Sequence, residues 1–177
     1  MNFANIYNTF KSAKKELYKV SSLVGSAMLI ALDLLLNSFR IVVSNLLEIS
    51  FSFVALAVCA MQYGPILGML VGAITDVLGH FLRSSGAFFP GFTINAILSG
   101  LIYGCFFYQK EVTWKRVILC RLLIMVLINL ILTPIWLHMM YGSALLTSIR
   151  IIKNIILFPI DSILLYFILK TVQKVRP

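Results

Sequence analysis

Charge is scarce in this chain. Only 12% of its 177 residues are Asp, Glu, Lys or Arg, where a soluble domain carries about a quarter. No polar stretch within the sequence is long enough to fold as a separate soluble domain. Catalytic and nucleotide-binding signatures are lacking as well. There is no G-x-x-x-x-G-K-[ST] to cradle ATP, no H-E-x-x-H and no G-x-S-x-G. With only two histidines, His80 and His138, triad chemistry has little to work with, and the chain is not expected to be an enzyme. The three cysteines, Cys59, Cys105 and Cys120, all fall inside apolar runs, with no C-x-x-C pair and no histidine at ligand spacing. They read as small packing residues, and neither a metal nor a cofactor is expected.

What is abundant is apolar surface. Hydrophobic residues make up 60% of the chain and mean hydropathy is +0.98. This is the composition of an integral membrane protein. The net charge of +9 does not form one patch. The basic residues flank the apolar runs, the pattern that sets membrane topology, and the bilayer rather than nucleic acid is their expected partner.

A spanning helix needs about 20 apolar residues. Six candidates are present, near 20–37, 46–63, 65–82, 92–108, 116–139 and 149–171. The predicted fold is therefore all-α, a six-helix polytopic bundle. With both termini cytoplasmic, the inner segments hold Lys11, Lys14, Lys15, Lys19, Lys110, Lys115, Arg116, Lys170, Lys174 and Arg176, while Arg40, Arg83, Arg150 and Lys153 lie at the outer ends. The domain plan is a cytoplasmic amphipathic segment (1–19), a membrane domain (20–172) and a short cytoplasmic tail (173–177). In the first segment Phe3, Ile6, Tyr7, Phe10 and Leu17 recur at helical spacing opposite the lysines, as in a helix lying on the inner membrane surface.

The outer cations need a reason, and so do the polar groups inside the spans. In the third span Gly64, Gly68, Gly72, Asp76 and His80 are spaced by four and wind slowly along one side. The glycines would let a neighbouring helix come close. Asp76 and His80 continue that side outward, where an ionisable group is costly unless it faces a wet interior. The alternative is a local pair, for instance Asp76 with Arg83. A lone histidine such as His80 is more often structural. The fourth span opens with Pro90 and Gly91, then Phe92, Thr93 and Asn95. Aromatic rings beside an amide suit a planar heteroaromatic ligand, or else an interfacial aromatic belt. In the sixth span Arg150, Lys153 and Asn154 share a face that would attract a carboxylate. Arg150, at the edge, is the more inclined to snorkel. Arg121 and Asp161 sit at depths that would let them pair. In the first span Ser22/Ser26, Ser21/Gly25 and Ala27/Ala31 form small-residue faces for helix docking, and the pattern alone favours packing within the bundle.

The runs "GPILGMLVGAITDVLG" and "GAFFPGFTINAILSGLIYG", the stretch from Phe39 to Pro65 and the Ala27-x-x-x-Ala31 motif resemble the substrate-binding S components of energy-coupling factor (ECF) transporters. The similarity covers about residues 20–172 and is greatest to the folate-specific branch. It implies a six-helix vitamin-binding subunit that docks on a membrane coupling subunit driven by two cytoplasmic ATPases. Ala27 and Ala31 would then meet the coupling subunit. The loop near Asn37–Ser44 and the loop between the third and fourth spans would roof the site. For a folate, Phe51, Phe53 and Phe92 would sandwich the rings, Asp76, Asn95 and Asn154 would meet the pterin edge, and Arg83, Arg150 and Lys153 would hold the anionic tail; His80 is a further candidate substrate-binding residue. The alternatives are an S component for thiamin, riboflavin or biotin, and a membrane scaffold without transport activity.

Overall fold

The structure is a computed structural model that describes residues 3–38, 41–44, 47–49, 51–83, 88–142 and 148–175, with side chains at 9–38, 51–82, 88–140, 142 and 154–175. Helix α1 spans Phe3–Glu16 and α2 spans Val20–Ser38. They are joined through Glu16, whose carboxylate accepts from Lys19 Nζ at 2.8 Å and from Ser22 Oγ at 2.6 Å. That hydrogen bond raises the pKa of Lys19 above its ordinary value. Along α1, Lys11, Lys14 and Lys15 are exposed, Ala13 is fully buried and Phe10 is half-buried, as is Leu17 just beyond it, while the side chains of Phe3, Ile6 and Tyr7 lie outside the described residues.

A short antiparallel hairpin follows, β1 (Ile41–Ser44) with β2 (Leu47–Ile49), pairing Ile41 with Ile49 and Val42 with Glu48. It corrects the second expected span. A helix was anticipated from about residue 46, but α3 runs only over Phe53–Tyr63. The segment before it carries adjacent β-branched residues and serines, which lose helix propensity and suit paired strands. The remaining α3 is short and apolar, and Val54 through Met61 are all buried. It is the centre of the bundle rather than a lipid-facing span.

The break after α3 is a single residue. Gly64 has φ +94°, a conformation reserved for glycine. Its N–H still bonds to the Ala60 carbonyl at 3.0 Å. Pro65 then opens α4 (Pro65–Arg83). A Cβ on Gly64 would stand 2.7 Å from the Cβ of Ala13, so α1 is seated directly against this break.

Helix α5 spans Pro90–Phe107 and runs antiparallel to α4 at unusually close range. The contacts form a ladder. Gly104 meets Pro65, Gly100 meets Gly68, and Gly72 meets the carbonyl of Ala96; a Cβ on these glycines would lie 2.3, 2.2 and 2.5 Å from those backbones. Further along, Thr93 meets Asp76 and Phe88 meets His80. The four-residue glycine spacing in α4 is thus a helix-packing groove that ends in a carboxylate and an imidazole.

The fifth span is one long helical rod in three parts: α6 (Trp114–Ile124), a π-helical segment (Met125–Leu132) and α7 (Thr133–Tyr141). In the π segment's last turn the Thr133 N–H reaches back to the Ile128 carbonyl, five residues away. The chain ends in α8 (Ser148–Val175), with Pro159 inside it. Among the described residues, five helical rods are long and apolar enough to cross a membrane, and α3 is a shorter apolar one. The buried core gathers α3, α5, α6 and α8 around Cys59, Tyr103, Phe107, Cys120, Leu165 and Leu169. Outward-facing Met28, Phe81, Leu119 and Phe167 remain exposed, as side chains solvated by lipid must be.

Candidate functional site

Polar side chains link four helical rods pairwise along a seam: α4 to α5, α5 to α7, and the π-helical segment to α8. Thr93 Oγ1 on α5 donates to Asp76 Oδ2 on α4 at 2.7 Å. Two residues on, Asn95 faces a different neighbour, because successive pairs on a helix point about 200° apart. Asn95 Nδ2 donates to Thr133 Oγ1 at 3.1 Å, and Trp136 Nε1 donates to Asn95 Oδ1 at 3.0 Å. Thr133 and Trp136 are three apart on α7, so one face of that helix supplies both partners. One π-helical turn earlier, Asn129 Nδ2 donates to Asn154 Oδ1 on α8 at 3.4 Å. Asn95 is buried at 7% exposure, and an amide there without partners would cost about 1–3 kcal/mol. Among the described residues, these bonds leave one N–H and one oxygen lone pair of the amide uncommitted.

Aromatic rings flank the seam. Phe89 lies 5.9 Å from Trp136 and 6.1 Å from Phe92, centroid to centroid. The indole rests on Gly91, where a Cβ would come within 2.6 Å of it. On the α4 side His80 packs edge-on against Phe88 at 5.2 Å and Phe81 at 6.0 Å.

Asp76 and His80 on α4 face the first turns of α5 and the residues just before it through Thr93 and Phe88, Phe92 packs on Phe89, Asn95 faces α7, and Asn154 on α8 meets Asn129 of the π-helical segment. Among the described residues Asp76 is bonded by Thr93. Phe53 joins a different cluster, about two helical turns from Asn95 along α5. Its ring centroid lies 4.5 Å from the Arg121 guanidinium. Arg121 donates to Tyr103 Oη at 3.0 Å and pairs with Asp161, the buried ion pair raised from depth in the sequence. Phe51 sits just before α3, its carbonyl accepting from Val54 N–H at 3.1 Å. The side chains of Arg83, Arg150 and Lys153 lie outside the described residues, as do residues 84–87 of the α4–α5 connection.

The small-residue faces of α2 separate cleanly. Ser22 and Ser26 are buried, Ser22 bonded to Glu16 and Ser26 against α3, where Cys59 Sγ donates to Ser26 Oγ at 3.7 Å. Ala27 and Ala31 are turned outward and exposed. Sequence reasoning missed Thr93, Asn129, Thr133 and Trp136, whose roles depend on helix rotation. It also missed Asp33, which is 4% exposed inside α2. An acidic residue within an apolar span was signal enough to single it out.

The architecture is that of a multi-pass membrane protein with a polar, aromatic-flanked seam between helices. The family described as "ECF transporter, substrate-specific component" matches residues 21–169. The chain belongs to this family, as its sequence motifs implied, and is a multi-pass protein of the prokaryotic cell membrane. A curated relative, "Folate transporter FolT" of Clostridium novyi (strain NT), is 39% identical over 160 residues, covering 89% of this chain and 93% of its own. A protein of the same name from Leuconostoc mesenteroides subsp. mesenteroides is 40% identical over 151 residues, 81% of each chain. Among solved structures, "Crystal structure of FolT bound with folic acid" shares 42% identity and a TM-score of 0.79, covering 84% of this chain and 92% of that one.

Proposed function

We propose that this chain is the folate-binding subunit of an ECF transporter, taking the vitamin at the end of the bundle that carries Asp76, Asn95 and Asn154. The observation that carries this reading is its 42% identity and common fold with a FolT structure bound to folic acid. The seam supports it chemically. The spare donor and acceptor of Asn95 suit the alternating edge of a pterin, and Asp76 keeps acceptor sites beyond the one used by Thr93. Phe92, Phe89 and Trp136 offer ring faces beside that edge. His80 lines the α4 side. Phe51 and Phe53 stand nearer α3, with Phe53 serving first as the cover of Arg121. Arg83, Arg150 and Lys153 would hold the anionic tail.

The transport cycle follows from this placement. Six membrane passes with both termini inside leave the seam open to the exterior. Residues 1–19 lie on the inner surface, residues 20–172 form the carrier body and 173–177 the tail. The exposed Ala27–Ala31 face slides against a membrane coupling subunit, which draws on two cytoplasmic ATPases. The chain itself binds the vitamin without ATP.

The test uses the two tryptophans. A Trp114→Phe variant leaves Trp136, beside the seam, as sole reporter. Titration with folate should quench its fluorescence saturably, while thiamin, riboflavin and biotin should not. Silence toward all four vitamins refutes a vitamin-binding role. Quenching by another vitamin but not folate makes the chain a sister S component.

A further inference from the structure

The end of the bundle remote from that seam carries a second organised group. Trp114, at the start of α6, stacks on Tyr166 of α8 with centroids 4.1 Å apart and planes 15° from parallel. Lys170, one turn further along α8, donates from Nζ to Tyr166 Oη at 2.6 Å and lies 5.0 Å from the ring centroid. Its ammonium is held in place rather than left to wander, which spares the entropy a free lysine loses on engaging a ligand. Lys174 follows on the same face, and Lys115 follows Trp114; both are exposed and make no hydrogen bond or ion pair among the described residues. Nearby cations are otherwise engaged: Lys110 Nζ donates to the Cys105 carbonyl, and Arg116 Nη1 donates to the Glu111 carbonyl. Helix α6 has no acidic residue, and the one acid in the sequence of α8, Asp161, is paired with Arg121. Beyond the lysines the surface turns apolar. Ile118 on α6 and Phe167 on α8 are exposed at 43% and 61%.

We propose that this group is a seat for one anionic glycerophospholipid. Its phosphate is held by Lys170 with Lys115 and Lys174, its glycerol region lies over the Trp114–Tyr166 pair, and its acyl chain runs along Ile118 and Phe167. Charge complementarity selects this occupant: Lys170 is held only by a neutral phenol, Lys115 and Lys174 make no ion pair among the described residues, and the cations outnumber the one nearby acid, Glu111 four residues before Lys115, where an apolar lipid-facing surface ends. The stacked indole and phenol are the amphipathic rings that settle at headgroup depth. The topology proposed above puts the seat in the inner leaflet, but binding in detergent does not depend on that orientation.

The experiment is native mass spectrometry of the full chain in mild detergent, titrated with phosphatidylglycerol or phosphatidylcholine of identical acyl chains. The wild type should retain one phosphatidylglycerol in clear preference to phosphatidylcholine. Lys170→Gln should weaken that retention about fivefold, the loss expected for one basic side chain at an anionic surface, and Lys170→Arg should largely restore it. Tyr166→Phe, which frees the ammonium but keeps the stack, should give an intermediate loss. Lys14→Gln on α1 should change nothing. Equal retention of the two lipids, or equal losses from Lys170→Gln and Lys14→Gln, would overturn the proposal.

Discussion

Neutralising Asp161 isolates a guanidinium in the middle of the bundle. Arg121 is 9% exposed, and its Nε has no hydrogen-bond partner among the described residues. Its remaining supports would be the Tyr103 hydroxyl and the face of Phe53. Removing one member of a buried pair costs about 3–5 kcal/mol, because the other charge stays desolvated and uncompensated. At roughly 2–4 °C per kcal/mol for a chain of this size, Asp161→Leu should lower the melting temperature by about 6–20 °C. Replacing both partners with apolar side chains of similar volume removes the orphaned charge, so Asp161→Leu with Arg121→Met should recover most of the loss. The assay is thermal unfolding of the detergent-solubilised chain, followed by the surviving monodisperse fraction on size exclusion. A single-variant shift under about 2 °C, or a double variant no more stable than Asp161→Leu alone, would refute the role assigned to the pair.

Further outcomes are expected elsewhere in the molecule. Gly100→Ala places a methyl 2.2 Å from the Gly68 carbonyl oxygen, a backbone atom that cannot swing aside, so α4 and α5 must separate. A destabilisation of about 1–3 kcal/mol should appear in the same unfolding assay. Asn95→Ala removes the group that joins Thr133 to Trp136 and should weaken folate binding about tenfold or more, measured by fluorescence titration; an unchanged affinity would place the ligand elsewhere. Ala27→Leu and Ala31→Leu should abolish vitamin uptake in cells carrying the coupling subunit and ATPases while leaving folate affinity of the purified chain intact. Full uptake by both variants would remove these residues from the docking face.

Much of this protein is legible in the order of its residues because lipid is an undemanding solvent to decode. A helix that crosses it must be continuously apolar and must satisfy its own backbone, so the apolar runs appear as spans with boundaries close to those observed. The glycine spacing of α4 likewise foretold a close helix neighbour. The second span misled because apolarity does not distinguish a helix from a strand pair. Ile41-Val42-Val43 and Leu47-Glu48-Ile49 pair as strands, and the true helix begins only at Phe53.

Candidate site residues were legible by type and less so by contact. Asp76, Asn95 and Asn154 stand out as polar residues in apolar spans. Their partners Thr93, Thr133, Trp136 and Asn129 do not, since each is ordinary until helix rotation is known. Phe53 shows the converse: an aromatic that suits a ligand by composition, yet whose ring lies over Arg121.

Residue order alone therefore determined the membrane class, the family and the rods from which the bundle is built, because each follows from local composition and motif. Only the tertiary structure decided which faces of those rods meet. It turned Ser22 and Ser26 inward and Ala27 and Ala31 outward on one helix, and brought Asn95 to α7 rather than to α4. The physical reason is that rotation and pairing of helices are set by the packing of all neighbours at once, and no single span carries that information.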